Sequence, residues 1–241
     1  MILSKFSIGG HREVIVRENV KNRQKPISTI VQSANKVEIR KTGASQPFNH
    51  PQKGSNIRAE PIRSPKDINH IKRMLADSPR DLALFTLGIN TNLRASDLLS
   101  IKIGQVRHLQ VGEHFSIRER KTGKQRSVTI NRTVHTIIVS LLQTMADADD
   151  EGYLFQSRKG GGRLTVSYLS QMVKGWSRDI NLRGNYSAHT LRKTWGYMMR
   201  TVHNIDIPTL MTIYNHSTQR QTLLYLCIQP SEIRNCYMQE V

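Results

Sequence analysis

Ala188-His189-Thr190-Leu191-Arg192 is the most informative stretch of this 241-residue chain, and Asn215-His216-Ser217 and Leu224-Tyr225-Leu226 extend it. Apolar spacing predicts a helix over His189–Val202, so His189 and Arg192, three residues apart, share one face. Shorter helices are predicted over Ile207–Ile213 and Thr218–Ile228, with the polar pair Ser217-Thr218 between them. That reading puts His216 and Tyr225 on consecutive short helices.

These residue types fit phosphodiester chemistry. Arg offers a fixed charge and a two-pronged fork for phosphate. His donates a hydrogen bond or moves a proton near neutral pH. Tyr can attack and form a covalent intermediate. A phenol is a weak nucleophile at its free pKa of about 10, and cationic neighbours make its phenolate less costly. The transition state gains charge that preorganised donors stabilise, which favours two guanidiniums. The leaving sugar oxygen needs a proton from Lys or His. Arg94 is available as a second Arg, and Lys121, on the turn Arg120-Lys121-Thr122-Gly123-Lys124, as the acid. Tyr214 and Tyr237 compete with Tyr225, but Tyr214 precedes His216 and Tyr237 lies past Pro230.

Working outward, regular structure starts at Ser64-Pro65, an N-cap followed by Pro at the first helical position. Ile68, Ile71, Met74 and Leu75 keep helical spacing, and a second start at Ser78-Pro79 predicts a helix ending near Asn90-Thr91-Asn92. Leu93–Leu99 reads as a short helix or turn. Three alternating runs, Val106–Val111, His114–Arg118 and Ser127–Ile130, predict a small antiparallel meander. Helices over Val134–Met145 and Val166–Ile180 complete a mainly helical α+β fold over residues 64–241. Residues 1–63 read as a basic, largely irregular arm; the first 60 hold 11 Lys/Arg against 4 Asp/Glu.

The chain carries 36 Lys/Arg and 18 Asp/Glu, a net charge of +18, which points to a polyanionic partner. No apolar run approaches the roughly 18 residues of a membrane span. The start shows no long apolar signal segment, and two cysteines make neither a disulfide scaffold nor a full zinc site. A cytoplasmic, DNA-associated protein is expected. The loop Arg158-Lys159-Gly160-Gly161-Gly162-Arg163, with Lys124, supplies candidate contacts to DNA phosphates.

Taken together, these segments resemble the catalytic domain of the tyrosine recombinase, or phage integrase, family. Leu93-Arg94-Ala95-Ser96-Asp97-Leu98 resembles its first box, and Lys121 to Val128 the hairpin that carries its lysine. Ala188–Arg192 resembles its His-x-x-Arg box, and Asn215-His216-Ser217 its Gly-His-Ser, with Asn in place of Gly. Tyr225 stands at the spacing of its nucleophile. The resemblance implies that Arg94 and Arg192 clamp the scissile phosphate and Lys121 protonates the leaving 5′ oxygen. It implies that His189 assists proton transfer, His216 hydrogen-bonds a phosphate oxygen, and Tyr225 forms a 3′-phosphotyrosine bond. Asp97 would orient groups around the site. Neither metal nor ATP nor another cofactor is called for. The implied partners are double-stranded DNA, further copies of the chain on DNA, and accessory DNA-bending proteins. The family's usual helical core-binding domain would precede Ser64, where this sequence has the basic arm. The alternatives are a type IB topoisomerase and a DNA-binding protein on the same scaffold that does not cut.

Overall fold

Ser64 and Pro65 start α1 (Pro65–Met74) as their chemistry dictates: the Ser64 hydroxyl accepts from Lys66 N at 3.2 Å, and Pro65 takes the first turn. This computed structural model describes residues 58–227 apart from 146 and 159, together with 234 and 237–240. Most of the amino-terminal arm, Lys159 and most of the stretch after Cys227 lie outside the described residues.

Ile68 and Ile71 of α1 turn inward onto α2 (Pro79–Gly88), whose residues Ala83 to Gly88 are all buried. A helix buried on every side is the centre of the domain rather than its surface. The short α3 (Ala95–Leu98) follows, then a 3-10 turn over Ile103–Gln105. Strands β1 (His114–Arg118) and β2 (Gln125–Thr129) pair antiparallel, with Phe115 opposite Val128 and Ile117 opposite Arg126. Phe115, Ile117 and Val128 face the core and their neighbours face water, as period-2 alternation requires. Three strands were expected and two are present among the described residues. The run Val106–Val111 follows directly on the 3-10 turn and forms turns and irregular chain, with Val106 buried and Val111 exposed.

Asn131 caps α4 (Arg132–Gln143) by accepting from Val134 N at 2.9 Å, and Val134, Ile138 and Leu141 form its buried stripe against α2. Thr165 caps α5 (Val166–Asp179), which buries Leu169, Val173 and Trp176. Trp176 meets Phe85 edge-on, with ring centres 5.8 Å apart. Then come α6 (Ala188–Thr201), α7 (Ile207–Tyr214, capped by Asp206) and α8 (Gln219–Leu226, capped by Thr218).

Among the described residues two apolar clusters result. The larger joins α1 to α6 and the hairpin. The smaller centres on Leu210, Tyr214 and Leu226, and ties α7 and α8 to α6 with help from Trp195 and Met199. Gly88 brings α2 against α6: a Cβ there would lie 2.5 Å from Leu191 Cδ1. That close approach sets the loop after α2 beside the start of α6. The residues just before α1 also pack on α6; Ile62 is buried and its N–H donates to Thr194 Oγ1 at 2.8 Å. Among the described residues, no helix is long and apolar enough to cross a membrane.

Candidate active site

A cleft of about 630 Å³ opens where the α2–α3 loop, the hairpin, α6 and the α7–α8 pair meet. Arg94, Lys121, His189, Arg192, His216 and Tyr225 all line it. These six come from segments separated by up to 131 positions, and the packing of α2 on α6 and of α8 on α6, with the hairpin anchored to α3, brings them together.

Asn92 adopts a left-handed conformation (φ 52°) that lifts the chain off α2 and aims Arg94 into the cleft. Asn tolerates that region better than most residues. Its buried side chain accepts a hydrogen bond from Arg192 Nε at 3.0 Å, so one loop holds both arginines. Arg94 Nη1 lies 2.6 Å from Glu119 and 4.0 Å from Asp97. Glu119, at the foot of the hairpin turn, also pairs with Arg126 at 3.4 Å and accepts from Thr122 at 2.7 Å. Burial pushes the Glu119 carboxyl up, but Arg94, Thr122 and Arg126 outweigh that and hold it down at about 2. Asp97 Oδ1 accepts from Arg120 N at 3.1 Å, anchoring the hairpin to α3. That bond ties Asp97 to the turn that carries Lys121. Lys121 itself is exposed at the cleft mouth.

His189 and Arg192 share one face of α6 as the spacing requires. Arg192 is buried, with its guanidinium 5.1 Å from the centre of the Tyr214 ring. His189 sits at the rim, accessible to water yet crowded by protein on its inner side. Desolvation, with Arg192, Lys193 and Lys121, lowers its proton affinity, so its imidazole is neutral at pH 7 and able to accept a proton.

His216 is not on a helix. Asn215 caps α7 in the left-handed conformation (φ 56°, ψ 47°), and His216 follows in the turn. The αL cap ends the helix one residue before His216, and the sharp reversal stacks its ring on Tyr214 at 5.1 Å and 13°. Its Nδ1 lies 3.0 Å from Thr222 Oγ1, which leaves Nε2 for another partner. Desolvation, then Arg192 and Arg94, hold this imidazole below its ordinary value.

Tyr225 packs between these groups, 4.9 Å from the Tyr214 ring and 5.4 Å from His216. Burial pushes its phenol up, while Arg192 and Arg94 pull it down. Tyr214 is fully buried and its hydroxyl donates to Arg192 O at 3.0 Å, so that oxygen is committed to holding α6. Tyr237 is 86% exposed and does not line the cleft.

The sequence reading missed Lys193, Arg58, Thr122 and Thr222. Lys193 could have been noticed as the residue after Arg192, but its burial beside Tyr225 depends on α8. Arg58 lies far upstream of the motifs and lines the cleft all the same. Conversely, Lys124 and Arg163 do not line the cleft, and Arg158 borders a different depression with Asp77, Arg80 and Met145.

Comparison with known proteins gives a consistent picture. The sequence pattern of the phage integrase family matches residues 64–232. A probable integrase/recombinase, YoeC, of Bacillus subtilis (strain 168) is 32% identical over 181 residues, spanning 74% of this chain and 94% of that protein. Tyrosine recombinase XerC of Caldanaerobacter subterraneus subsp. tengcongensis is 31% identical over 158 residues, spanning 64% of this chain but only 43% of its own length. The crystal structure of XerA recombinase shares the fold with a TM-score of 0.62 at 21% identity, covering 79% of this chain and 66% of that one. XerH recombinase bound to palindromic difH substrate also scores 0.62, at 17% identity, covering 76% and 53%.

Proposed function

The chain belongs to the phage integrase family of tyrosine recombinases, and from that membership we propose that it cuts and rejoins double-stranded DNA at specific sites through a 3′-phosphotyrosine bond on Tyr225. The observation that carries the reading is the convergence of Arg94, Lys121, His189, Arg192, His216 and Tyr225 on one cleft.

In the proposed step, Tyr225 Oη bonds to phosphorus as the bond from phosphorus to the 5′ oxygen breaks. The phenolic proton passes to neutral His189, and the leaving oxygen takes a proton from Lys121. Arg94 and Arg192 bind the non-bridging oxygens as equatorial charge grows, and His216 Nε2 donates a further hydrogen bond. Glu119 and Asn92 hold the two guanidiniums in place beforehand, so little reorganisation remains for the reaction itself. The covalent bond conserves the energy of the cut strand, and rejoining runs the same steps in reverse without metal or ATP. The net charge of +18 suits a DNA backbone. The basic amino-terminal arm is assigned to DNA contact, with Lys124, Arg158, Lys159 and Arg163 as further phosphate contacts. Copies of the chain paired on DNA would exchange strands between two sites.

The test uses the full chain and a pool of nicked duplexes of randomised sequence, in which the nick lets the cut end diffuse away and traps the adduct. A denaturant-stable adduct that maps to Tyr225 and forms in EDTA is expected. Survival of the adduct in Tyr225→Phe would sink the nucleophile assignment. No adduct at all would favour DNA binding without cutting. Relaxation of supercoiled plasmid without joining of paired sites recovered from the pool would favour a topoisomerase.

A further inference from the structure

Lys193 is 6% exposed, yet it borders the cleft one residue after Arg192. Its ammonium lies 5.0 Å from the centre of the Tyr225 ring and 3.2 Å from Cys227 Sγ. Among the described residues no carboxylate pairs with it. A buried ammonium whose partners among the described residues are a ring face and a thiol is poorly compensated for its lost water. Replacing such a charge with an apolar chain of similar length is often neutral or stabilising. A costly charge beside a nucleophile has an electrostatic use there.

We infer that Lys193 is a positioning residue for the nucleophile: its buried ammonium holds the Tyr225 ring from the face and stabilises the charge that ring gains as its oxygen attacks phosphorus. This rests on the strand-cutting reading above. The attraction between a cation and a ring face grows as the ring becomes phenolate-like, so it is stronger in the transition state than before it. Lys193 takes no part in the proton transfers, which run through His189 and Lys121. The other groups facing Tyr225 have other work. Arg192 of α6 and Arg94 of the α2–α3 loop take the phosphate, His216 of the α7–α8 turn takes one of its oxygens, and Tyr214 of α7 holds the α6 backbone. Cys227, after α8, adds a thiol at the far side of the ammonium.

The experiment compares wild type, Lys193→Met, Lys193→Arg and Lys121→Ala on the nicked pool, made with either oxygen or sulfur at the bridging 5′ position. Sulfur leaves without a general acid, so it rescues a lost proton donor but not a weakened nucleophile. Lys193→Met is expected to form adduct about tenfold more slowly on both substrates. Lys193→Arg should recover most of that loss, and Lys121→Ala should be rescued by sulfur alone. The melting temperature of Lys193→Met should equal or exceed that of wild type, which a merely structural lysine would not allow. Wild-type rates in Lys193→Met, or rescue of that variant by sulfur, overturn the inference while leaving strand cutting intact. A folded wild type that makes no adduct on either substrate overturns both.

Discussion

Substituting Glu119 with Gln tests how Arg94 is held in the cleft. The carboxylate bonds Arg94 at 2.6 Å and Arg126 at 3.4 Å, and it titrates at about 2 against an ordinary value of 4.5. At about 1.36 kcal/mol per tenfold change in proton affinity, that difference corresponds to at most roughly 3.5 kcal/mol. The hairpin borders an open cleft, and solvent screening reduces this to a working figure of about 2 kcal/mol. The folded value is depressed, so the stabilisation is fully present above about pH 4.5 and is lost as pH falls toward 2. Urea unfolding of wild type and Glu119→Gln should therefore differ by about 2 kcal/mol at pH 7, and the gap should close steadily toward pH 2. Gln keeps the shape and one acceptor, so packing loss does not confuse the comparison. Adduct formation should also slow, because Arg94 loses its anchor while keeping its charge. A gap below about 0.5 kcal/mol at pH 7, within the scatter of ordinary surface substitutions, or one that does not change with pH, would refute the reasoning.

Further outcomes follow from the same geometry. Gly196→Ala places a Cβ 2.8 Å from Tyr214 Cζ, so the ring must shift and the protein should lose about 1–3 kcal/mol, read as a lower melting temperature. Tyr214→Phe removes the 3.0 Å hydrogen bond to the Arg192 carbonyl; stability should fall by about 1 kcal/mol while the adduct still maps to Tyr225. Adduct formation should rise with pH through a midpoint below 6.5, where His189 becomes neutral, and should be level from pH 7 to 8. A midpoint above 7 would remove His189 as proton acceptor.

Much of this was legible in the chain itself. Ser64-Pro65, Ser78-Pro79 and Thr218 start helices in the structure because the side-chain caps of Ser64 and Thr218 and the fixed φ of Pro65 and Pro79 act locally. The left-handed turn at Asn215 is local too: Asn stands where the resembled motif has Gly, and it adopts the conformation Gly would. The run Val106–Val111 misled because alternation alone does not supply a partner strand, and none pairs with it among the described residues. His216 was placed on a helix because its cap is a single residue whose φ changes sign, and periodicity does not register that.

Sequence alone determined the set of chemical groups, their order and the faces they share within a helix, since these depend on residue type and on 3.6-residue spacing. Tertiary structure decided the rest. Gly88 lets α2 touch α6, and through that contact Asn92 links the two arginines across 100 positions. Glu119 fixes Arg94, and α8 brings Tyr225 onto buried Lys193. Each of these couplings joins residues far apart in the chain, and the packing that joins them is set by shape and burial over the whole domain rather than by any local pattern.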